Sequence, residues 1–224
     1  MIITLISDTH NKHKQVTSSL PGGDLLLHAG DISSMGHQHE IREFCKWFRD
    51  LDYKRKVFIA GNHDWGFQRE PEKSLEIVDF YSGIDYVEDE ILEIEGTKIW
   101  GTPWQPWFYN WAFNLPRGGE ALEEKWNEIP VGIDILITHS PSKGTLDTVA
   151  GRRHDELGCE LLTKRIAEVR PKIHVCGHIH TGYGYVYKNG THFFNASVLD
   201  ESYTYSQKPV TFNWDPETNE IEFM

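Results

Sequence analysis

The sequence predicts an α/β fold in which two sheets pack together and helices flank them. Three observations carry this expectation. Short, continuous apolar runs recur in both halves of the chain, as in strands buried on both faces. Between them lie segments with the period of about 3.6 residues that marks an amphipathic helix. Hairpin signals in the middle and at the end add antiparallel strands to an otherwise parallel pattern.

The runs at 2–6, 25–29 and 56–60 read as the first three strands. Between the last two, Ile41, Phe44, Cys45, Phe48 and Leu51 recur at helical spacing and predict a helix over 39–52. Pro71 opens a second helix over 71–81. Residues 91–100 are rich in β-branched side chains, broken by Glu95-Gly96, and read as a hairpin. The aromatic, proline-containing stretch 102–111 follows neither period and reads as a long ordered loop. A helix over 118–128, a strand over 133–137 and a loop over 144–158 follow. Next come a helix over 159–169, with Leu161, Leu162, Ile166 and Val169 inward, and a strand over 172–176. The segment 185–195 turns at Asn189-Gly190, and a last hairpin over 209–223 turns near Asp215-Pro216. No repeat, low-complexity tract or linker interrupts the 224 residues, so one domain over 1–224 is expected.

Composition narrows the function classes. With 39% hydrophobic, 12% aromatic and 25% charged residues the chain is globular in character. A formal net charge of −12 disfavours sequence-independent DNA binding and attachment to anionic membranes, although bound dications could make one cleft locally positive. Cys45, Cys159 and Cys176 are odd in number and widely spaced, which fits buried thiols in a reducing compartment and no cysteine zinc site. No stretch approaches the ~20 apolar residues of a membrane span, and no leader pattern precedes the first strand. A cytoplasmic protein is the expectation.

The chemistry lies at the strand ends. Five apolar runs finish in Asp8-Thr9-His10, Gly30-Asp31, Gly61-Asn62-His63-Asp64, Thr138-His139-Ser140 and Gly177-His178-Ile179-His180. Open α/β sheets gather their sites at the carboxyl ends of strands, so these segments can meet in one crevice. Asp8 and His10 are two apart, as are His178 and His180, and extended backbone directs each pair to one side. The glycines before Asp31, Asn62 and His178 permit close backbone approach and unusual dihedrals. A lone Asp or His at a strand end is ordinarily a turn cap or a buried hydrogen-bonding group. Seven in this order point instead to metal: Asp8, His10, Asp31, Asn62, His139, His178 and His180. Mixed oxygen and imidazole donors suit transition dications, and seven side chains suit two ions sharing a carboxylate.

These blocks resemble the calcineurin-like metallophosphoesterase superfamily, whose pattern is D-x-H, G-D, G-N-H-[DE], H and G-H-x-H. All five are present in order from Asp8 to His180. The resemblance implies that Asp8, His10, Asp31 and His180 hold one ion. Asp31, Asn62, His139 and His178 would hold the other, with Asp31 bridging. It further implies that His63 contacts the phosphate and assists the leaving group, and that Asp64 orients His63. The ions implied are two divalent transition metals, Mn foremost, with Fe, Zn, Ni or Co as alternatives. A bridging hydroxide would attack phosphorus in line.

The resemblance extends to the metallophosphoesterase-domain-containing subfamily. It is carried by Ser7-Asp8-Thr9-His10-Asn11, His28-Ala29-Gly30-Asp31, Trp104-Gln105-Pro106-Trp107-Phe108, Trp111-Ala112-Phe113-Asn114-Leu115 and Gly182-Tyr183-Gly184. It implies a four-layer α/β/β/α sandwich and phosphodiesterase activity on cyclic nucleotides or related nucleotide diesters. Some relatives lack the first histidine of the last block; here it is kept as His178. The Ser/Thr phosphatase branch has an arginine in G-D-x-V-D-R-G, whereas Asp31 here precedes Ile32-Ser33-Ser34. That departure argues against phosphoprotein substrates, unless an arginine from elsewhere substitutes. A phosphomonoesterase, a non-catalytic scaffold and a nuclease acting on short oligonucleotides are the competing readings. The partner expected is a small phosphoester or nucleotide, with no stable nucleic-acid complex and no membrane.

Other residues divide between packing and function. His28 and His174 lie in strands and should be buried and hydrogen-bonded, whereas His13, His37, His39 and His192 read as solvent or loop residues. Arg152, Arg153 and His154 form a charge run that could bind phosphate, although solvation is the simpler reading. The aromatic stretch 104–113 reads first as packing, with Trp107 and Phe108 as the candidates for stacking on a base.

Overall fold

The computed structural model describes residues 1–149 and 156–224; the reading of Arg152, Arg153 and His154 falls outside them. In chain order come β1 (Ile2–Ile6), α1 (His13–Val16), β2 (Gly23–His28), α2 (Gln38–Arg49) and β3 (Tyr53–Phe58). Then follow α3 (Trp65–Arg69), α4 (Pro71–Phe80), β4 (Asp85–Tyr86), β5 (Glu90–Ile94) and β6 (Thr97–Thr102). The middle holds β7 (Gln105–Pro106), β8 (Asn114–Leu115), α5 (Glu120–Glu128), β9 (Ile135–Thr138) and α6 (Glu160–Val169). The chain closes with β10 (Ile173–Cys176), β11 (Gly184–Lys188), β12 (Thr191–Asn195), β13 (Val210–Trp214) and β14 (Ile221–Phe223).

Two six-stranded mixed sheets result, ordered β14-β13-β1-β2-β3-β4 and β11-β12-β10-β9-β6-β5. β1 through β4 run parallel, with β13 antiparallel to β1. In the second sheet β6, β9, β10 and β12 are parallel, with β5 and β11 as antiparallel edges. The apolar runs are continuous because both faces of their strands are buried. Leu25 and Leu27 turn to the layer between the sheets, where they meet Ile99, Ile135, Ile137, Val175 and Phe194. Leu26, between them, packs with Phe44 and Phe48 of α2. On the far side Leu136 and Phe193 pack against Leu122 and Trp126 of α5 and Leu162 of α6. The order is therefore helices, sheet, sheet, helices, as the sequence led us to expect.

Some details differ from expectation. β7, within 102–111, pairs with β8 just beyond that stretch as a small parallel ladder, and Trp104 and Phe113 beside it meet edge-on at 5.5 Å. α3 and β4 are too short to leave a periodic signal. His13 and His192 are corrected: both are buried, at 2% and 5% exposure. His13 packs on Trp47, at 4.9 Å between ring centroids, and His192 is held by Tyr185 Oη and the Asn219 carbonyl. His37 and His39 are exposed, and the three cysteines are buried and free. Among the described residues no helix is long and apolar enough to cross a membrane.

Candidate metal centre

The parallel strands of both sheets point their carboxyl ends to one edge of the sandwich, and the five predicted segments follow β1, β2, β3, β9 and β10 there. Backbone strain marks the spot. Asp8, His10, Asp31 and His178 all adopt positive φ (55°, 39°, 55° and 65°), which non-glycine residues rarely do outside constrained sites. Gly61 and Gly177 allow the loops to close, since a Cβ on either would collide with Asp31 or with Ser7 and Asp8.

Donor atoms of Asp8, His10 and His180 lie within 4.8 Å of one another, as do those of His10, Asp31 and His63, and of Asp8, Asp31 and His139. Asp31 joins the groups: its Oδ2 lies 3.5 Å from His10 Nε2 and 3.3 Å from His139 Nε2. Asp8 Oδ1 lies 3.4 Å from His180 Nε2. Asn62 Oδ1 accepts a bond from His139 Nε2 at 3.0 Å. The His178 ring meets that of His139 edge-on at 5.1 Å, outside the three triads. All seven predicted ligands thus share one buried or half-buried neighbourhood.

Three features of this cluster fit divalent ions. His139 Nδ1 donates to the Ala29 carbonyl at 2.8 Å and His180 Nδ1 to the Asp200 carbonyl at 2.9 Å, which turns each Nε2 toward the carboxylates. Metal-binding imidazoles are oriented in this way. Both ring nitrogens of His10 are buried without a hydrogen-bond partner among the described residues, and a cation coordinated by one of them would lower that cost. Finally, the charges are poised for it. Burial disfavours a cation on His139 and His180, yet Asp31 and Asp8 outweigh it and raise both pKa values to about 9. Burial holds His10 down at about 4 and His178 at about 3. Asp8 and Asp31 stay below the usual carboxylate range: burial opposes this, but the surrounding imidazoles prevail. Two buried, ionised carboxylates facing four imidazoles form a site built for positive charge.

His63 turns its Nδ1 to the Ser34 carbonyl at 2.8 Å and stacks on Trp111 at 3.9 Å. Asp64 does not orient it, contrary to the expectation. The Asp64 carboxylate accepts from the Ile32, Ser33 and Gly61 amides and from Ser33 Oγ, because the chain turns into α3 immediately after it. It therefore holds the loop that carries Asp31. Burial first, then the charge of Asp31, raises the Asp64 pKa to about 7.

Sequence reading missed several members of the site. Ser197 Oγ donates to Asp8 Oδ2 at 2.7 Å, and Tyr203 packs edge-on against His10 and His180. Ser197 follows the carboxyl end of another parallel strand, β12, which is the one signal that could have found it. A cleft of about 460 Å³ opens over the cluster, lined by His10, Asp31, Asn62, His63, His178 and His180. Its wall includes Trp107 and Phe108, at 57% and 41% exposure. The aromatic stretch is thus divided: Trp104 and Phe113 pack, while Trp107 and Phe108 face the cleft. Arg117 also lines the cleft, but its guanidinium is bound to the Leu157 and Gly158 carbonyls and to Glu160.

Residues 1–182 match the family model for calcineurin-like phosphoesterases. The chain belongs to that family. It is 40% identical to human metallophosphoesterase domain-containing protein 1, over 93% of this chain and 69% of the human protein. It is 38% identical to UPF0046 protein T07D4.2 of Caenorhabditis elegans, over 93% of this chain and 58% of that protein. Among solved structures, that of TT1561 from Thermus thermophilus superposes with a TM-score of 0.65 at 12% identity, covering 100% of this chain and 97% of that one. That likeness bears on the fold alone. The calcineurin-like phosphoesterase family is one of metal-dependent phosphoric ester hydrolases, and the buried Asp and His groups are consistent with a dinuclear metal site.

Proposed function

We propose that this phosphoesterase is a phosphodiesterase acting on cyclic nucleotides or related nucleotide diesters. One observation carries the reading: the Asp31 carboxylate stands between two sets of donors at the floor of a cleft walled by exposed Trp107 and Phe108. Asp8, His10, Asp31 and His180 would hold one ion, and Asp31, Asn62, His139 and His178 the other, Mn²⁺ foremost for this mixed oxygen and imidazole set. Such a pair of ions supplies a nucleophile at neutral pH and positive charge for the phosphoryl oxygens.

The chain's own residues do the rest. His63, with Nδ1 occupied by the Ser34 carbonyl, offers Nε2 to a departing oxygen. Trp107 and Phe108 offer faces for a nucleobase, and stacking of this kind contributes about 1–3 kcal/mol per base. The net charge of −12 supports a small substrate over a polyanionic strand, and the three buried thiols suit a reducing, cytoplasmic setting. Among the described residues the arginine that lines the cleft, Arg117, is bound to protein acceptors, which weakens the protein-phosphatase alternative.

The test compares bis-p-nitrophenyl phosphate with p-nitrophenyl phosphate in added Mn²⁺, followed by a panel of 2′,3′- and 3′,5′-cyclic nucleotides. Faster turnover of the diester is expected. Equal rates or a preference for the monoester would overturn the diesterase reading.

A further inference from the structure

His63 is fixed from three sides, each by a segment other than its own. Its Nδ1 faces the Ser34 carbonyl at 2.8 Å, the edge of His10 meets it at 4.5 Å and 86°, and Trp111 lies across its face at 3.9 Å and 27°. Trp111 comes from the aromatic segment between β7 and β8, far away in sequence. That segment is clasped to the one bearing His63. The amide of Ala112 donates to the Asn62 carbonyl at 3.0 Å, and the amide of Phe113 to Gln68 Oε1 at 3.1 Å. Ala112 and Phe113 are buried, at 0% and 1% exposure, so the residues following Trp111 are pinned to the backbone of Asn62 on one side of His63 and to the side chain of Gln68 on the other.

We propose that Trp111 is a positioning residue for His63, holding the imidazole so that Nε2 meets the leaving oxygen of the phosphoester. The inference rests on the proposed role of His63. In that step an oxygen from water bonds to phosphorus, its surplus proton passing to solvent. The bond from phosphorus to the leaving oxygen breaks, its electron pair stays on that oxygen, and the oxygen takes the Nε2 proton of His63, which solvent then returns to the ring. Proton transfer of this kind demands a donor within hydrogen-bond reach and in line, so a ring free to rotate loses most of its effect. The Ser34 carbonyl fixes one nitrogen but leaves the ring free to swing about that bond. The indole face removes that freedom.

A general acid matters most when the leaving group is poor. Turnover should therefore be measured on methyl aryl phosphate diesters whose leaving groups run from p-nitrophenol to phenol, for the Mn²⁺-loaded protein and its variants. His63→Ala should lose about 10²-fold with phenol and far less with p-nitrophenol, in keeping with the usual yield of a general acid. Trp111→Ala should show the same leaving-group dependence, at about tenfold with phenol. Trp111→Phe should restore near-native behaviour, and the double variant should be no slower than His63→Ala. A second readout needs no turnover. In protein loaded with a diamagnetic dication, the His63 Cε1 proton signal should be shifted upfield by the indole, and Trp111→Ala should abolish the shift. Equal losses across leaving groups in Trp111→Ala, or no rescue by phenylalanine, would show a merely structural tryptophan and overturn the inference. A uniform loss in His63→Ala would instead sink the acid role, and the ring-current shift would still decide whether Trp111 holds the ring.

Discussion

Asp8 is the most heavily engaged residue of the cluster. Both its oxygens accept from the His178 amide, at 3.1 and 3.0 Å, Ser197 Oγ donates at 2.7 Å, and His180 Nε2 lies 3.4 Å away. A carboxylate held by so many donors presents its remaining lone pairs in a fixed direction, as a metal site requires. Ser197→Ala removes one of these donors without touching a proposed ligand. Metal titration should then show affinity falling by about 10–100-fold, the usual cost of losing an outer hydrogen bond to a ligand. Unchanged affinity would mean that the His178 amide alone holds the carboxylate.

At the scale of elements, strand ends and tight turns do the assembling. β1 and β10 belong to different sheets, yet Gly177 after β10 sits against Ser7 and Asp8 after β1. Gly177 is not in the positive-φ region, so alanine is excluded there by contact, not by backbone strain. Gly177→Ala should push the two loops apart, costing about 1–3 kcal/mol in a melt, as overpacking does. It should lower metal content as well, because Asp8 and His178 move with those loops. Normal metal content alongside full stability would refute the close approach. The strands themselves were legible because apolar runs of four to six residues need no partner to be recognised. The pairing of β7 with β8 was not, since two-residue strands carry no period and are visible only through their contacts with each other.

The whole molecule adds a pH dependence that has nothing to do with catalysis. His174 is buried between sheet and helices, with Nε2 at 2.9 Å from Thr138 Oγ1. Burial lowers its pKa to about 3, and lowers that of His13 to about 4. A folded pKa below the ordinary value near 6.5 means that the unfolded chain binds the proton first. Stability from His174 is therefore complete above about pH 6.5 and is lost as pH falls toward its folded value. Between pH 6.5 and pH 5 the loss is about 2 kcal/mol for this one residue. Urea unfolding of the metal-free protein at pH 7 and pH 5 should show it as a difference between native protein and His174→Asn. The variant should lose about 2 kcal/mol less across that interval. An identical pH response in the two proteins would rule out a neutral, buried His174.

Order along the chain was enough to determine the five motif blocks, the alternation of strand and helix, and thereby the phosphoesterase family. Such features are local: an apolar run, a glycine before an acid, a pair of histidines two apart. Tertiary structure decided what depends on contacts between distant segments. It moved Asp64 from His63 to the Asp31 loop, set Trp111 on His63, brought Ser197 to Asp8, and buried His13 and His192. A side chain's direction is set by whatever packs around it, and for each of these residues the deciding neighbours lie on other segments of the fold. The five strand ends could be read from the sequence one at a time, whereas the site they form exists only where the two sheets bring them to a common edge.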